Sequence, residues 1–472
     1  MKRSALVAVI VLAVVAGLAW QRTRPAGRTS ITLLITGGTV VTMDAAGSII
    51  PDGAVAIDGD AIVAVGAAAD LDARYNARER IDAGGQVIMP GLINTHTHAP
   101  MVLFRGLADD LALMDWLTQY IFPAEKATVS PEFVRIGTQL AVLEMIESGT
   151  TTYADMYYFE EEIAAATKAA GVRGVLGQTI IRFPVADAAT PEAGLARAEA
   201  FLAQWANDPL IVPAVAPHAP YTLTPETLKA ARGLADKYRA PLLIHLAETR
   251  DEVATIAGQF KMSPAMFLDS LGLWGGRSLA AHGVWVDEAD MRMLAERGVG
   301  LSHNPESNMK LASGTAPVTA WLAAGIPSGL GTDGAASNND LDMFEAMRTA
   351  ALLQKHATGD PRAMPARQAL ELATRRGAAA LGLGDRIGSL EAGKLADVIT
   401  VSMSSARQTP MFDPLSHLVY VTRGTDVRST VVNGRVLMRQ GQVTSLNRSA
   451  VLREATAMAE KVRAAVSRKE EP

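Results

Sequence analysis

The chain has 472 residues, 49% of them hydrophobic, which is enough to bury a large core and more than one domain usually holds. A formal net charge of -5, with no basic stripe interleaved with aromatics, speaks against a nucleic acid polymer as partner. Cysteine is absent, which excludes disulfides, thiolate metal ligands and the Cys-ligated zinc deaminases of flipped bases; any metal must be held by nitrogen and oxygen.

Residues 1–28 open with Met1-Lys2-Arg3, run uncharged and apolar over residues 5–20, and end among Arg22, Arg24 and Arg28. This pattern predicts a secretory signal peptide or a short membrane anchor, and so a periplasmic, exported or membrane-anchored protein. Residues 29–88 read as short β segments, including Val55-Ala56-Ile57, the turn Asp58-Gly59 and the run from Ala61 to Val65. The same texture returns over residues 389–445, in Leu395 to Val401 and around the Asn433-Gly434 hairpin. Together they predict one small β-sandwich domain built from both chain ends. Residues 446–472 predict a C-terminal helix on the outside.

Between them, residues 89–388 alternate strand-like runs with helices whose starts are marked by Ser130-Pro131-Glu132, Thr190-Pro191-Glu192, Thr224-Pro225-Glu226 and Ser263-Pro264. Strands are expected at His96-His98, residues 151–156, 172–180 and 211–215, and before His245, His282, His303 and Asp333. Eight βα units of this total length predict the α/β class and a (β/α)8 TIM barrel.

Histidine is scarce, with 8 in the chain, yet His96, His98, His245, His282 and His303 all sit at predicted strand ends. His96 and His98, spaced i, i+2, share one face of a strand, and two neutral imidazoles aimed at one point suit a borderline-soft divalent metal. His356 and His417 have no motif context and read as structural. His303 could serve packing or the site.

The ordered set Pro90-Gly91-Leu92-Ile93-Asn94-Thr95-His96-Thr97-His98, His245-Leu246-Ala247-Glu248, His282-Gly283 and Gly331-Thr332-Asp333 resembles the amidohydrolase superfamily from about Ile31 to Gln442. Within it, the segments from His96 to Gly106, Trp116-Leu117, Phe122 to Glu125, Ser302 to Asn308 and Gly331 to Met343 are most similar to the methylthioadenosine/S-adenosylhomocysteine deaminase group. The resemblance implies one divalent metal, zinc or alternatively Fe2+, bound by His96, His98, His245 and Asp333. It implies Glu248 as the group that moves a proton from water to a ring nitrogen, His282 as stabiliser of the tetrahedral adduct, and Asp333 as a helper in ammonia departure. The fourth strand ends in Ala216-Pro217-His218 without the lysine that bridges two metals in binuclear relatives, so a mononuclear site is expected.

By the same resemblance Glu125 accepts hydrogen bonds from ribose hydroxyls, Trp116 walls the pocket, and His218, Arg182 and Asn304 are further candidate substrate contacts. The expected reaction converts an adenine-type C-NH2 to C=O with release of ammonia. Methylthioadenosine, S-adenosylhomocysteine and adenosine are all open as substrates, since the third strand, Val175 to Ile180, lacks the arginines that hold an amino-acid tail in family members. Alternatives are an s-triazine, guanine or cytosine type of amino-heterocycle, or a cyclic amide. A homo-oligomeric state is left open.

Overall fold

The computed structural model describes residues 28–467. The predicted signal or anchor lies outside them except for Arg28, and among the described residues no helix is long and apolar enough to cross a membrane.

Eight parallel strands pair in chain order: Leu92–Thr97, Thr150–Tyr157, Arg173–Ile180, Ile211–Pro217, Leu242–Leu246, Ser278–His282, Gly300–His303 and Ser328–Leu330. The second and third are buried at every residue, as parallel strands covered by helices must be. The seam between the eighth and first strands is bridged by Asp333 N–H donating to His96 O and Thr95 Oγ1 donating to Leu330 O, each at 2.9 Å. All four Ser/Thr-Pro helix starts form as expected: Ser130, Thr190, Thr224 and Ser263 each accept from the backbone N–H three residues on. The helix Pro131–Ser148 stops at Gly149, whose φ of 87° suits glycine and whose missing side chain admits Ile399 of the small domain.

The chain ends meet, as expected, in one small β domain, a single nine-stranded mixed sheet. Gln86–Pro90 pairs antiparallel with Val398–Ser402, and the long strand Thr29–Val41 pairs with Gln86–Pro90 only after a bulge near Gly38. The sheet then curls over: Ile62 N–H donates to Lys394 O and Ala396 N–H to Asp60 O, both at 2.8 Å. The curl gives the sandwich-like interior, in which Leu33, Val55, Ile57, Ile88, Val398 and Val431 form one apolar cluster. One continuous sheet thus does the work of two faces.

This domain is fastened to the N-terminal ends of the barrel strands. Arg173, at the start of the third strand, makes a buried two-point contact with Asp397, at 3.1 and 3.2 Å. The C-terminal ends therefore stay free for chemistry. The helix Arg448–Ser467 lies on the outside, burying Val451, Ala455, Met458 and Val462 as it packs against Pro131–Ser148 and Phe122–Thr128.

Candidate active site

The strand ends converge. His96 and His98 project from the end of the first strand, His245 from the fifth, and Asp333 follows the eighth. Asp333 Oδ1 stands 3.4 Å from His96 Nε2 and 3.3 Å from His98 Nε2. His98 Nδ1–H donates to Met156 O and His245 Nδ1–H to His218 O, both at 2.7 Å. Those carbonyls can only accept, so each ring carries its proton on Nδ1 and turns an Nε2 lone pair inward. The two Nε2 atoms are 3.3 Å apart and neither can donate to the other. His96 Nε2 is buried with no hydrogen-bond partner, and burial lowers His96 to about 4, keeping it neutral.

Glu248 sits on a turn held from behind. Both oxygens of buried Glu252 accept from its backbone, Ala247 N–H at 2.8 Å and Glu248 N–H at 2.9 Å, and Ala247 has φ 48°. His282 and Asp333 also have positive φ, 75° and 63°, a conformation that costs an L-residue about 1–3 kcal/mol and persists only where the surroundings dictate it. His282 Nε2 faces Glu248 Oε2 at 3.8 Å and Asp333 Oδ2 at 4.0 Å. Burial raises Glu248 from its ordinary carboxylate value, with His282 offsetting only part, which makes it a better proton acceptor than an exposed glutamate. Burial alone would lower His282, but Glu248 and Asp333 outweigh it and raise it.

Around these groups a cavity is lined by His98, Trp116, Glu125, His218, Glu248, His282 and Asp333 together with Met101, Tyr157 and Tyr221. Glu125 and Trp116 come from the long connection after the first strand, which lines one side of the cavity. Glu125 is buried and accepts from the Tyr157 hydroxyl at 2.7 Å. A larger adjoining cavity of about 690 Å³ shares Leu117, Phe122, Glu125, Tyr158 and Tyr221, and Arg182 and Lys126 line it.

The donor set fits a divalent cation. The nitrogens offered by His96, His98 and His245 lie within 4.8 Å of one another, as do the atoms offered by His96, His282 and Asp333. Inward-facing lone pairs beside an ionised carboxylate are what a zinc-like ion needs. Residues 87–437 match the amidohydrolase family. The chain belongs to the amidohydrolase family.

Among similar amidohydrolases, the 5-methylthioadenosine/S-adenosylhomocysteine deaminase of Syntrophobacter fumaroxidans is 49% identical over 89% of this chain and 96% of that protein. The 5'-deoxyadenosine deaminase of Methanosarcina mazei is 44% identical over 92% of this chain and 99% of its own. A crystal structure of an adenosine deaminase from Xanthomonas campestris with bound zinc superposes with a TM-score of 0.91 at 42% identity, covering 93% of this chain and 100% of that one.

The other expected residues of this amidohydrolase are more dispersed. His218 packs its ring 4.7 Å from that of His245 and lines the cavity. Arg182 lines only the adjoining one. Asn304 lies behind His282, with Nδ2 3.4 Å from His282 Nδ1 and Oδ1 accepting from Ser302 Oγ at 3.0 Å, and is not among the residues lining either cavity. His303 is fully buried, edge-on to Trp321, with neither ring nitrogen hydrogen-bonded. Sequence reasoning missed Tyr157, Glu252 and the role of Ser307, whose Oγ donates to Asp333 Oδ2 at 2.7 Å. Tyr157 lies two residues past Asp155 on the second strand, the same i, i+2 signal that His96 and His98 carry.

Proposed function

We propose that this amidohydrolase is a metal-dependent hydrolytic deaminase of adenosine derivatives, replacing the purine amino group by oxygen with release of ammonia. The observation that carries the reading is one cavity lined both by His98, His245, Asp333 and Glu248 and by the buried carboxyl of Glu125. The first supports attack of water on an aromatic carbon, and the second supports recognition of a sugar diol, whose two hydroxyls a carboxylate's paired oxygens can accept.

His96, His98, His245 and Asp333 would hold one cation, zinc or iron(II), whose Lewis acidity makes water acidic enough to supply a nucleophile near neutral pH. Glu248 takes the proton of the attacking water and passes it to the ring nitrogen beside the reacting carbon, which makes that carbon electrophilic. His282, whose charged form Glu248 and Asp333 favour, donates its Nε2 proton in a hydrogen bond to the oxygen as the carbon becomes tetrahedral. Asp333 Oδ2, oriented by Ser307, lies on the same side and assists the proton transfer that lets ammonia leave. The balance is one water consumed and one ammonia released per amino group.

The adjoining cavity supports a substrate carrying a 5'-substituent on its ribose. Its lining of Leu117, Phe122, Phe183 and Val185 suits an apolar group such as a deoxy or alkylthio terminus, and Arg182 could meet a longer anionic tail. The apolar N-terminal run supports an exported or membrane-anchored location, which fractionation of the host cell tests.

The deciding experiment is an ammonia-release screen of metal-replete protein against 5'-deoxyadenosine, methylthioadenosine, S-adenosylhomocysteine, adenosine, guanine, cytosine and an amino-s-triazine. Ribosides of adenine should turn over and the free bases and triazine should not. Turnover of a free base at a higher kcat/KM than every riboside would refute the proposal.

A further inference from the structure

We infer that Asn308 is a positioning residue for the reaction: its Oδ1 accepts the Nδ1 proton of His282 and fixes that ring with Nε2 toward Glu248 and Asp333. The inference rests on the catalytic reading of His282 given above.

Two amides address the same ring nitrogen. Asn308 Oδ1 lies 2.9 Å from His282 Nδ1, while Asn304 Nδ2 lies 3.4 Å from it. The nearer partner is an acceptor and requires Nδ1 to carry the proton; the farther one is a donor and would require the opposite tautomer. Asn304 has a second commitment, since its Oδ1 accepts from Ser302 Oγ, whereas Asn308 Nδ2 is buried without a partner. Among the described residues, the only hydrogen bond of the Asn308 side chain is thus the one to His282.

The backbone of Asn308 is held on both sides. Its N–H donates to Asn304 O at 3.1 Å and its C=O accepts from Ser313 N–H at 2.9 Å. It sits in the short helix Pro305–Lys310, whose Ser307 also anchors Asp333 Oδ2. One short helix therefore carries a partner of the His282 imidazole and a partner of the Asp333 carboxylate, whose Nε2 and Oδ2 lie 4.0 Å apart, and the positive φ of His282 persists only where its surroundings hold it.

The test compares wild type with Asn308→Leu, which removes the acceptor at similar volume, and Asn308→Asp, which keeps it. Each protein is labelled with 15N-histidine, and the His282 signal is assigned by its loss in His282→Gln. The Leu variant should lose the His282 Nδ1–H signal and about 10–100-fold in kcat, with KM within a few-fold and metal content unchanged. The Asp variant should keep the signal and recover most of the turnover. An Nδ1–H signal that survives in the Leu variant, or equal kcat losses in Asp and Leu, would overturn the assignment. Should the Leu variant fail to fold, Asn308→Ala is read the same way. A wild type that releases no ammonia from any adenosine derivative would sink the functional reading instead, and the ring-nitrogen spectrum would still decide Asn308.

Discussion

The Tyr157 hydroxyl donates to Glu125 Oε1 at 2.7 Å, joining the end of the second barrel strand to the connection that follows the first and lines the cavity. The bond takes one of the two acceptor sites on Oε1 and leaves both carboxylate oxygens able to accept from a ligand. Burial pushes Glu125 up to about 7, and the tyrosine offsets only part of that. The group is therefore neutral below about pH 7 and charged above it. Sugar hydroxyls donate to the charged form, so KM for ribosides should rise as pH falls through 7, by up to about tenfold per unit. Glu125→Gln should raise KM for ribosides at pH 8 and flatten this dependence. A Gln variant that keeps the wild-type KM profile would remove Glu125 from ribose binding.

Glu248→Gln preserves shape and the backbone contacts to Glu252 but cannot shuttle a proton. Loss of about 10²–10⁴-fold in kcat is expected, with metal content by elemental analysis unchanged. An active variant would exclude Glu248 as the proton carrier.

Stripping the metal should lower the melting temperature, because a cation that binds only the folded ligand set stabilises it by mass action. Chelator should shift melting at pH 7.5 and still do so at pH 5, because burial lowers His96 to about 4 and lowers His98 and His245 as well, so protons compete for the ligand nitrogens only in stronger acid. His98→Ala should show the low melting temperature without chelator. Equal melting curves with and without chelator at pH 7.5 would argue against a structurally coupled cation.

Asp397→Ala should destabilise the protein by about 3–5 kcal/mol, because it strands the buried Arg173 guanidinium without its charge partner. Denaturant unfolding measures this. Both residues sit at the end of the barrel remote from the cavity, so kcat of the surviving folded fraction should match wild type.

The barrel was legible because its strands recur as apolar runs ending in His or Asp, and parallel order then forces every such end onto one rim. His96, His98, His245 and Asp333 meet for that reason, from positions scattered across the chain. The orientation of Asn304 was not legible. It was expected as a substrate contact, yet its amide is hydrogen-bonded to Ser302 and turned toward His282. Nor could pattern reveal that Glu252 clamps the turn bearing Glu248, since a carboxylate four residues after another on a helix start reads as a solvated charge. The small domain's alternating texture marked its strands but not their continuity; the Gly38 bulge and the curl are set by contacts between the two chain ends.

The antiparallel pairing of Pro90 with Val398 has a consequence for biosynthesis. One of the two strands that neighbour Gln86–Pro90, Val398–Ser402, is made only after the whole barrel has left the ribosome. Until then the early strands expose an open edge, a template for pairing with another nascent chain. A product stopped before that point should be recovered in inclusion bodies or cleared by proteases, so nonsense lesions even late in the coding region should behave as complete losses.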